Sequence, residues 1–168
     1  MKRGFALLCL LFLAWAVAGP AAAETLHGVV IVVIDGDTVL FKPDHYHPSG
    51  RAFLKIRLAD IDAPEHDQPY GDAATQALSA QVLNQRVEVD TVATDVYDRT
   101  IAGIRMGEDE VGTDLVQRGL AWASTRSRHA SALKAAQRQA RLDRRGLWQD
   151  AAPVPPWVWR RTHPGVGY

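Results

Sequence analysis

The sequence predicts an α+β fold, mainly β, in which five strands form a small closed barrel accompanied by about three helices. Three observations support this prediction. Five short segments carry the β-branched or alternating pattern of strands. Turns separate most of these segments, without the regular crossover helices that a parallel sheet demands. Three other segments change to the period of a helix, and 168 residues suffice for one domain with a real core.

The first three predicted strands follow one another closely. Residues 26–34 form a β-branched run that is too short and too rich in valine for a helix. The Asp-Gly pair at residues 35–36 signals a tight turn, after which residues 38–42 resume as a strand. A polar loop then leads to an alternating segment, residues 52–59. These segments predict a hairpin followed by a third strand.

The remaining predicted elements are two strands and three helices. The strands cover residues 86–92 and 100–106. The helices cover residues 73–83, 111–119 and 128–145, with Gly119 and Gly146 as the glycines that end the last two. The third helix is basic and amphipathic, and the residues expected to face inward are Leu133, Ala136, Ala140 and Leu142.

Residues 1–23 have the pattern of a secretory signal. A basic start precedes an apolar run at residues 5–17, and three alanines follow just before Glu24. A membrane anchor is the alternative, but a span needs roughly 20 apolar residues. We therefore expect export to the periplasm or the extracellular medium, cleavage before Glu24 and no stable membrane insertion afterwards. The mature chain would have no disulfides, because the one cysteine, Cys9, lies in the signal. We expect a monomer, since nothing in the sequence demands a larger assembly.

The predicted domain covers residues 24–150, and residues 151–168 form a C-terminal tail rich in proline and tryptophan. We expect this tail to be extended and partly packed or mobile. The alternative is that Trp157 and Trp159 stack on a substrate or bind a partner.

The charge of the chain disfavours a protein that coats nucleic acid. The sequence contains 19 basic and 19 acidic residues, whereas proteins that hold nucleic acid over a long track are usually basic. The positive charge is instead concentrated in residues 126–145 and at Arg160 and Arg161. This distribution favours a small substrate footprint.

Carboxylates gather at the ends of two predicted strands. Asp37 follows the first strand, and Asp62 follows the third. The proline after Ala63 forces an extended backbone there, which would direct the Ala63 carbonyl outward. Two carboxylates, one carbonyl and several waters make an oxygen-only site for a hard cation, with positions open to a phosphate.

Two arginines accompany these acids. Arg57 lies in the third predicted strand, and Arg99 precedes the fifth. A guanidinium binds phosphate oxygens through two parallel N–H donors, in a geometry that lysine cannot reproduce. Hard-cation ligands beside phosphate-binding arginines are the parts that a metal-dependent phosphodiesterase needs.

Six motifs in this order resemble those of the staphylococcal nuclease (thermonuclease) family. They are Asp37-Thr38, Arg57, Asp62-Ala63-Pro64-Glu65, Tyr70-Gly71, Tyr97-x-Arg99 and the phrase at residues 113–121, and the basic helix ending in Gly146-Leu147-Trp148 is similar to the last helix of the family. The match covers roughly residues 30–148. The resemblance implies an OB-fold barrel and a calcium-dependent nuclease that acts on DNA and RNA and leaves 3′-phosphates.

The resemblance also implies roles for single residues. The Ca²⁺ ligands would be the carboxylates of Asp37 and Asp62 and the carbonyl of Ala63. Glu65 would be the general base, or the residue that orients the attacking water, while Arg57 and Arg99 would bind the scissile phosphate and Tyr97 a neighbouring one. The alternative is a catalytically silent barrel that binds nucleic acid or a protein partner. Loss of the acids or arginines would mark that case, and this chain retains them.

Overall fold

The computed structural model describes residues 24–45, 50–124 and 130–164. The predicted export signal, residues 1–23, lies outside these ranges. The strands are β1 (Thr25–Asp35), β2 (Thr38–Pro43), β3 (Leu54–Leu58), β4 (Ile61–Asp62), β5 (Arg86–Thr94), β6 (Thr100–Met106), β7 (Asp109–Glu110) and β8 (Trp122–Ala123). The helices are α1 (Gly71–Val82), α2 (Val111–Gln117), α3 (Ala130–Leu142) and α4 (Pro156–Thr162), with a 3-10 helix at Gly146–Gln149.

Five strands close into a barrel, as the sequence predicts. Strands β3, β2, β1, β5 and β6 are antiparallel neighbours in that order. The barrel closes through parallel pairing of β3 with β6, in which Arg57 lies opposite Ile101. A closed, mainly antiparallel barrel of five strands is the OB-fold that the resemblance implies, so the predicted fold class is confirmed.

The interior of the barrel is an apolar core. Alternate residues of each strand point inward, and the side chains of Val39, Phe41, Ile56, Val89 and Ile104 are fully buried. Helices α1 and α2 contribute further members of the same cluster. This core fixes the strand ends from which the site residues project.

A second, smaller cluster lies beside the barrel. The rings of Trp122 and Trp148 meet edge to face with their centroids 4.5 Å apart. The Arg141 guanidinium lies 4.1 Å from the ring centroid of Trp148 and 5.2 Å from that of Trp122, which adds a cation–π attraction. Trp157 of α4 contacts Trp122 from the other direction, at 5.4 Å between centroids. The cluster joins α3, β8 and α4.

Two predictions about the C-terminal part are wrong. Leu142 is 78% exposed, whereas Leu133 and Ala140 are buried as expected. Nine positions separate Leu142 from Leu133, and nine steps of a 3.6-residue period end on the opposite face of a helix. The tail is not extended throughout, because α4 forms within it and begins at Pro156, where the fixed φ of proline suits the first helical turn.

Gly119 and Gly146 meet where α2 ends and the 3-10 helix begins. The Leu147 N–H donates to the Gly119 carbonyl at 2.9 Å. Both glycines have positive φ, +70° and +51°. A Cβ at Gly119 would lie 2.2 Å from the Arg145 carbonyl oxygen, a backbone atom that cannot rotate away.

We expect Gly119→Ala to lower the free energy of unfolding by about 3 kcal/mol or more, since left-handed strain is joined by a backbone clash. Gly107→Ala is the matched control. Its φ is also positive, +63°, but nothing lies within 4 Å of its Cβ position, so it should cost only about 1–2 kcal/mol. Urea denaturation measures both; equal losses would show that the close approach at Gly119 carries no energy.

Candidate active site

Asp37 occupies the turn between β1 and β2. Asp35 pairs with Thr38 at the end of this hairpin, so the two intervening residues lie at the edge of the barrel, here called the rim. The Asp37 side chain is nevertheless buried. Its Oδ2 accepts the Ala63 N–H at 2.8 Å, and its Oδ1 accepts the Thr38 hydroxyl at 3.2 Å. The carboxylate is therefore held in one orientation.

Asp62 reaches the same rim by a sharp turn after β3. Asp60 has a φ of +66°, a conformation that aspartate tolerates better than most residues. The chain then forms β4, in which Asp62 pairs with Trp122 of β8. This short pairing fixes Asp62 beside the end of β3.

Arg57 joins the two carboxylates. Its Nη2 lies 3.1 Å from Asp37 Oδ2 and 2.9 Å from Asp62 Oδ1. Its Nη1 donates to the carbonyl oxygens of Leu58 at 2.8 Å and Ile61 at 3.0 Å. Because both carboxylates contact one nitrogen, Asp37 and Asp62 are close neighbours. The structure thus brings together three of the residues that the sequence predicts for the site.

Burial raises the pKa of Asp37 to about 7. The negative charges of Asp35 and Asp62 act in the same direction, while Arg57 and the Ala63 N–H favour the ionised form. A cation that bound this carboxylate would have to displace the proton, so its affinity would rise with pH through this range.

Glu65 lies three residues beyond Asp62. Its backbone N–H donates to Gln68 Oε1 at 3.1 Å, and its carboxylate Oε1 accepts from Arg160 Nη1 at 2.5 Å. Its side chain is about one quarter exposed. Glu65 is thus accessible to water at the rim, and it shares its contact with Arg160 with Asp62.

Arg99 and Tyr97 lie in the connection between β5 and β6. Arg99 immediately precedes β6, the strand that pairs with β3 along the seam containing Arg57. Asp95 organises this connection, since its Oδ1 accepts the N–H groups of Tyr97 and Arg99 and its Oδ2 accepts Arg99 Nε at 2.8 Å. The Arg99 guanidinium lies 5.6 Å from the centroid of the Tyr97 ring, which is itself exposed. The ion-pair partner of Arg99 is, however, Asp95. Arg99 forms no ion pair with Asp37, Asp62 or Glu65.

The donor set at the rim fits a hard cation. Two carboxylates converge there, and the backbone of Ala63 runs beside them. No group of three or more His, Cys, Asp or Glu side chains that could hold a metal occurs in the described part of the chain. A cation would therefore need backbone oxygen or water besides Asp37 and Asp62. Calcium accepts such mixed oxygen ligands.

Sequence reasoning missed two residues of the site. Asp95 has no predicted role, although its spacing of four from Arg99 is a signal for an ion pair. Arg160 enters the sequence prediction only as part of the basic charge. It lies 95 positions after Glu65, and no local pattern predicts that pairing.

Helix α4 brings Arg160 to the rim. Three contacts dock the helix and the segment before it: Trp159 Nε1 donates to Asp67 Oδ1 at 3.1 Å, Gln68 Nε2 donates to the Val154 carbonyl at 2.6 Å, and Trp157 packs on Trp122. Arg160 Nη2 then lies 2.8 Å from Asp62 Oδ2. The predicted tail is therefore part of the site.

A closed OB-fold barrel that carries paired carboxylates and arginines at one rim combines a fold that binds oligonucleotides with side chains that can bind a cation and a phosphate. The model of the family described as "Staphylococcal nuclease homologue" matches residues 55–150. The chain belongs to this family.

Relatives in enterobacteria match over most of their length. A protein named "Uncharacterized endonuclease" from Escherichia coli is 34% identical over 159 residues, which cover 94% of this chain and 97% of the relative. "Protein ParB" from Escherichia coli is 38% identical, over 86% of this chain and 84% of its own. "Micrococcal nuclease" from Shigella flexneri is 34% identical, over 87% of this chain and 86% of its own. The similarity thus extends over nearly the whole predicted domain.

Proposed function

We propose that this protein is an exported, calcium-dependent nuclease that hydrolyses phosphodiester bonds of DNA and RNA and leaves 3′-phosphates. The proposal rests on one observation: the carboxylates of Asp37 and Asp62 both contact Nη2 of Arg57. Glu65 follows Asp62 by three residues. Family membership and relatives named as nucleases support the same activity.

Each residue of the site has a chemical task. Asp37, Asp62 and the Ala63 carbonyl would hold Ca²⁺, which when bound stabilises negative charge on the phosphate. Glu65 takes a proton from the attacking water, whose oxygen forms a bond to phosphorus. The bond from phosphorus to the 5′-oxygen breaks, the 5′-oxygen leaves with the bonding electron pair and takes a proton from solvent water, and the phosphate stays on the 3′-oxygen. The arginines neutralise the charge that develops on the phosphate oxygens.

The two arginines predicted to bind phosphate, Arg57 and Arg99, differ in how they are positioned. Arg57 is mostly buried and already bonded to two carbonyls, so it preorganises the rim and offers few donors to the phosphate. Arg99 uses Nε on Asp95, and neither of its terminal nitrogens has a hydrogen-bond partner within the part of the chain that the structure describes, so both would be open to a substrate oxygen. Tyr97, which is exposed beside it, would contact a neighbouring phosphate.

The pattern of residues 1–23 supports export, which is part of the proposal. Among the described residues, no helix has the length and apolar character needed to cross a membrane. Cell fractionation, with the N-terminal sequence of the released protein, tests this point; a cytoplasmic protein that retains residues 1–23 would contradict export.

We expect the chain from Glu24 to cut single-stranded and duplex DNA and RNA when Ca²⁺ is present and to lose this activity in chelator. Mg²⁺ should support cleavage poorly, because it demands a near-ideal octahedral shell and dehydrates reluctantly, whereas Ca²⁺ accepts irregular oxygen sets. Gel assays and end-group analysis measure rate and product. Cleavage that persists in chelator would refute the metal requirement, and a folded protein that binds nucleic acid without cutting under any condition would favour the silent binding module.

A further inference from the structure

The guanidinium of Arg160 lies at the centre of the proposed reaction site. Its Nη1 contacts Glu65 Oε1 at 2.5 Å and Asp62 Oδ1 at 3.2 Å, and its Nη2 contacts Asp62 Oδ2 at 2.8 Å. The Arg160 side chain therefore links Asp62, a proposed metal ligand, to Glu65, the proposed general base. Any phosphate that reacts between Asp62 and Glu65 lies next to this guanidinium.

Arg160 retains donors for a substrate. An arginine has five N–H donors, and the three contacts to carboxylates use both hydrogens of Nη1 and one of Nη2. The Nε–H and the second Nη2–H have no hydrogen-bond partner among residues 24–45, 50–124 and 130–164. These two hydrogens lie on the same edge of the guanidinium, the arrangement that binds two oxygens of one phosphate.

Exposure separates Arg160 from Arg57. The Arg160 side chain is 44% exposed, whereas that of Arg57 is 16% exposed. Arg57 also uses Nη1 entirely on backbone carbonyls. An incoming phosphate can therefore reach the free edge of Arg160 more easily than that of Arg57.

Electrostatics gives Arg160 a second effect on an anionic substrate. A phosphodiester that approaches the rim meets the carboxylates of Asp62 and Glu65, which repel it. The Arg160 charge lies against both carboxylates and offsets this repulsion. Docking of α4 holds the charge in place through the contacts of Trp159 and Trp157.

We propose that Arg160, supplied by the C-terminal helix α4, is a substrate-binding arginine that contacts the scissile phosphate together with Arg99. This inference rests on the proposed nuclease function and adds a residue outside the segment that the family model matches.

The test compares Arg160→Ala with Arg161→Ala, which removes the same charge from an exposed neighbour that makes no contact with Asp62 or Glu65. We measure kcat and KM on a labelled single-stranded DNA octamer in Ca²⁺, and binding of the same octamer in EDTA by fluorescence anisotropy at several NaCl concentrations. Arg160→Ala should lower kcat/KM about 10–100-fold, the usual effect of one charge-assisted hydrogen bond. It should also reduce the slope of log K against log[NaCl] by about 0.7, the value for one lost phosphate contact on a single strand. Arg161→Ala should change kcat/KM less than about threefold.

Arg160→Lys keeps the charge and loses the bidentate geometry, so its kcat/KM should fall between those of the wild type and Arg160→Ala. Hydrogen exchange at the α4 amides shows whether each variant keeps the helix docked. If Arg160→Ala undocks α4, the test rests on Arg160→Lys in the state where α4 stays docked. A wild-type kcat/KM for that lysine variant would overturn the bidentate contact.

Two other outcomes would also overturn the inference while the nuclease function stands. Equal kinetics and equal salt slopes for Arg160→Ala and wild type would show that no phosphate contact exists. Faster cleavage by Arg160→Ala at low Ca²⁺ would show that the guanidinium blocks the cation instead of serving the substrate. Failure of the nuclease function itself has a different signature, namely no cleavage by the wild type; the salt slopes in EDTA then still decide on Arg160.

Discussion

Glu65→Gln lowers kcat for DNA cleavage by about 10²–10⁴-fold, the contribution expected of a positioned general base. Glutamine has nearly the shape of glutamate. Its amide oxygen can still accept the hydrogen bond from Arg160 Nη1, which lies 2.5 Å from Glu65 Oε1. The amide cannot take a proton from water, so the loss falls on the chemical step. KM should change little, because the variant keeps every arginine that binds phosphate.

Glu108→Gln is the matched control, since Glu108 is exposed in the turn that follows β6. Its kcat should equal that of the wild type. A Glu65→Gln enzyme with wild-type kcat would show that another group, or water alone, accepts the proton.

Asp37→Asn should abolish the response to Ca²⁺ and, without metal, make the protein more stable at pH 8 by about 2–4 kcal/mol. Folding raises the Asp37 pKa from 3.8 to about 7. Between these values the unfolded chain has released the proton and the folded chain still holds it. The free energy of unfolding therefore falls as the pH rises from about 4 to 7 and stays at the lower value above pH 7. The loss is about 1.4 kcal/mol for each unit by which the folded and unfolded pKa values differ.

Asparagine avoids this cost because it is neutral at every pH, and its oxygen can still accept the Ala63 N–H. Chemical denaturation in EDTA between pH 4 and 8 measures the effect. The two proteins should converge in stability near pH 4 and separate as the pH rises. Asp109→Asn, at an exposed position, should follow the wild type. A less stable Asp37→Asn at pH 8 would mean that the ion pair with Arg57 outweighs the cost of burial. Calcium should raise the melting temperature of the wild type and of Asp109→Asn but not that of Asp37→Asn.

The barrel could be predicted because its signals are local. The run from Val29 to Ile34 has a pattern that only a strand explains, and β1 follows it. The two-residue strands β4 and β8 could not be predicted, because so short a pairing is decided by the packing of its neighbours and not by its own sequence. The prediction that Leu142 faces inward was wrong because the buried face of α3 is the one that carries Leu133 and Ala140.

The same distinction applies to the site. Asp37, Arg57 and Asp62 lie at strand ends, so their meeting follows from the predicted barrel and its turns. The position of Arg160 depends on how α4 docks, which rests on contacts of Trp157 and Trp159 with residues far away in sequence. Tryptophans in a proline-rich segment indicate that something is contacted, but they do not identify the partner.

The contact of Trp157 with Trp122 gives the protein an internal optical reporter. Indole rings whose centroids are 4.5 and 5.4 Å apart and steeply inclined to one another couple their electronic transitions. Trp157 belongs to α4, whereas Trp122 pairs in the sheet with the strand that bears Asp62. Near-ultraviolet circular dichroism would therefore record movement of α4 at the rim during substrate binding, without any added label.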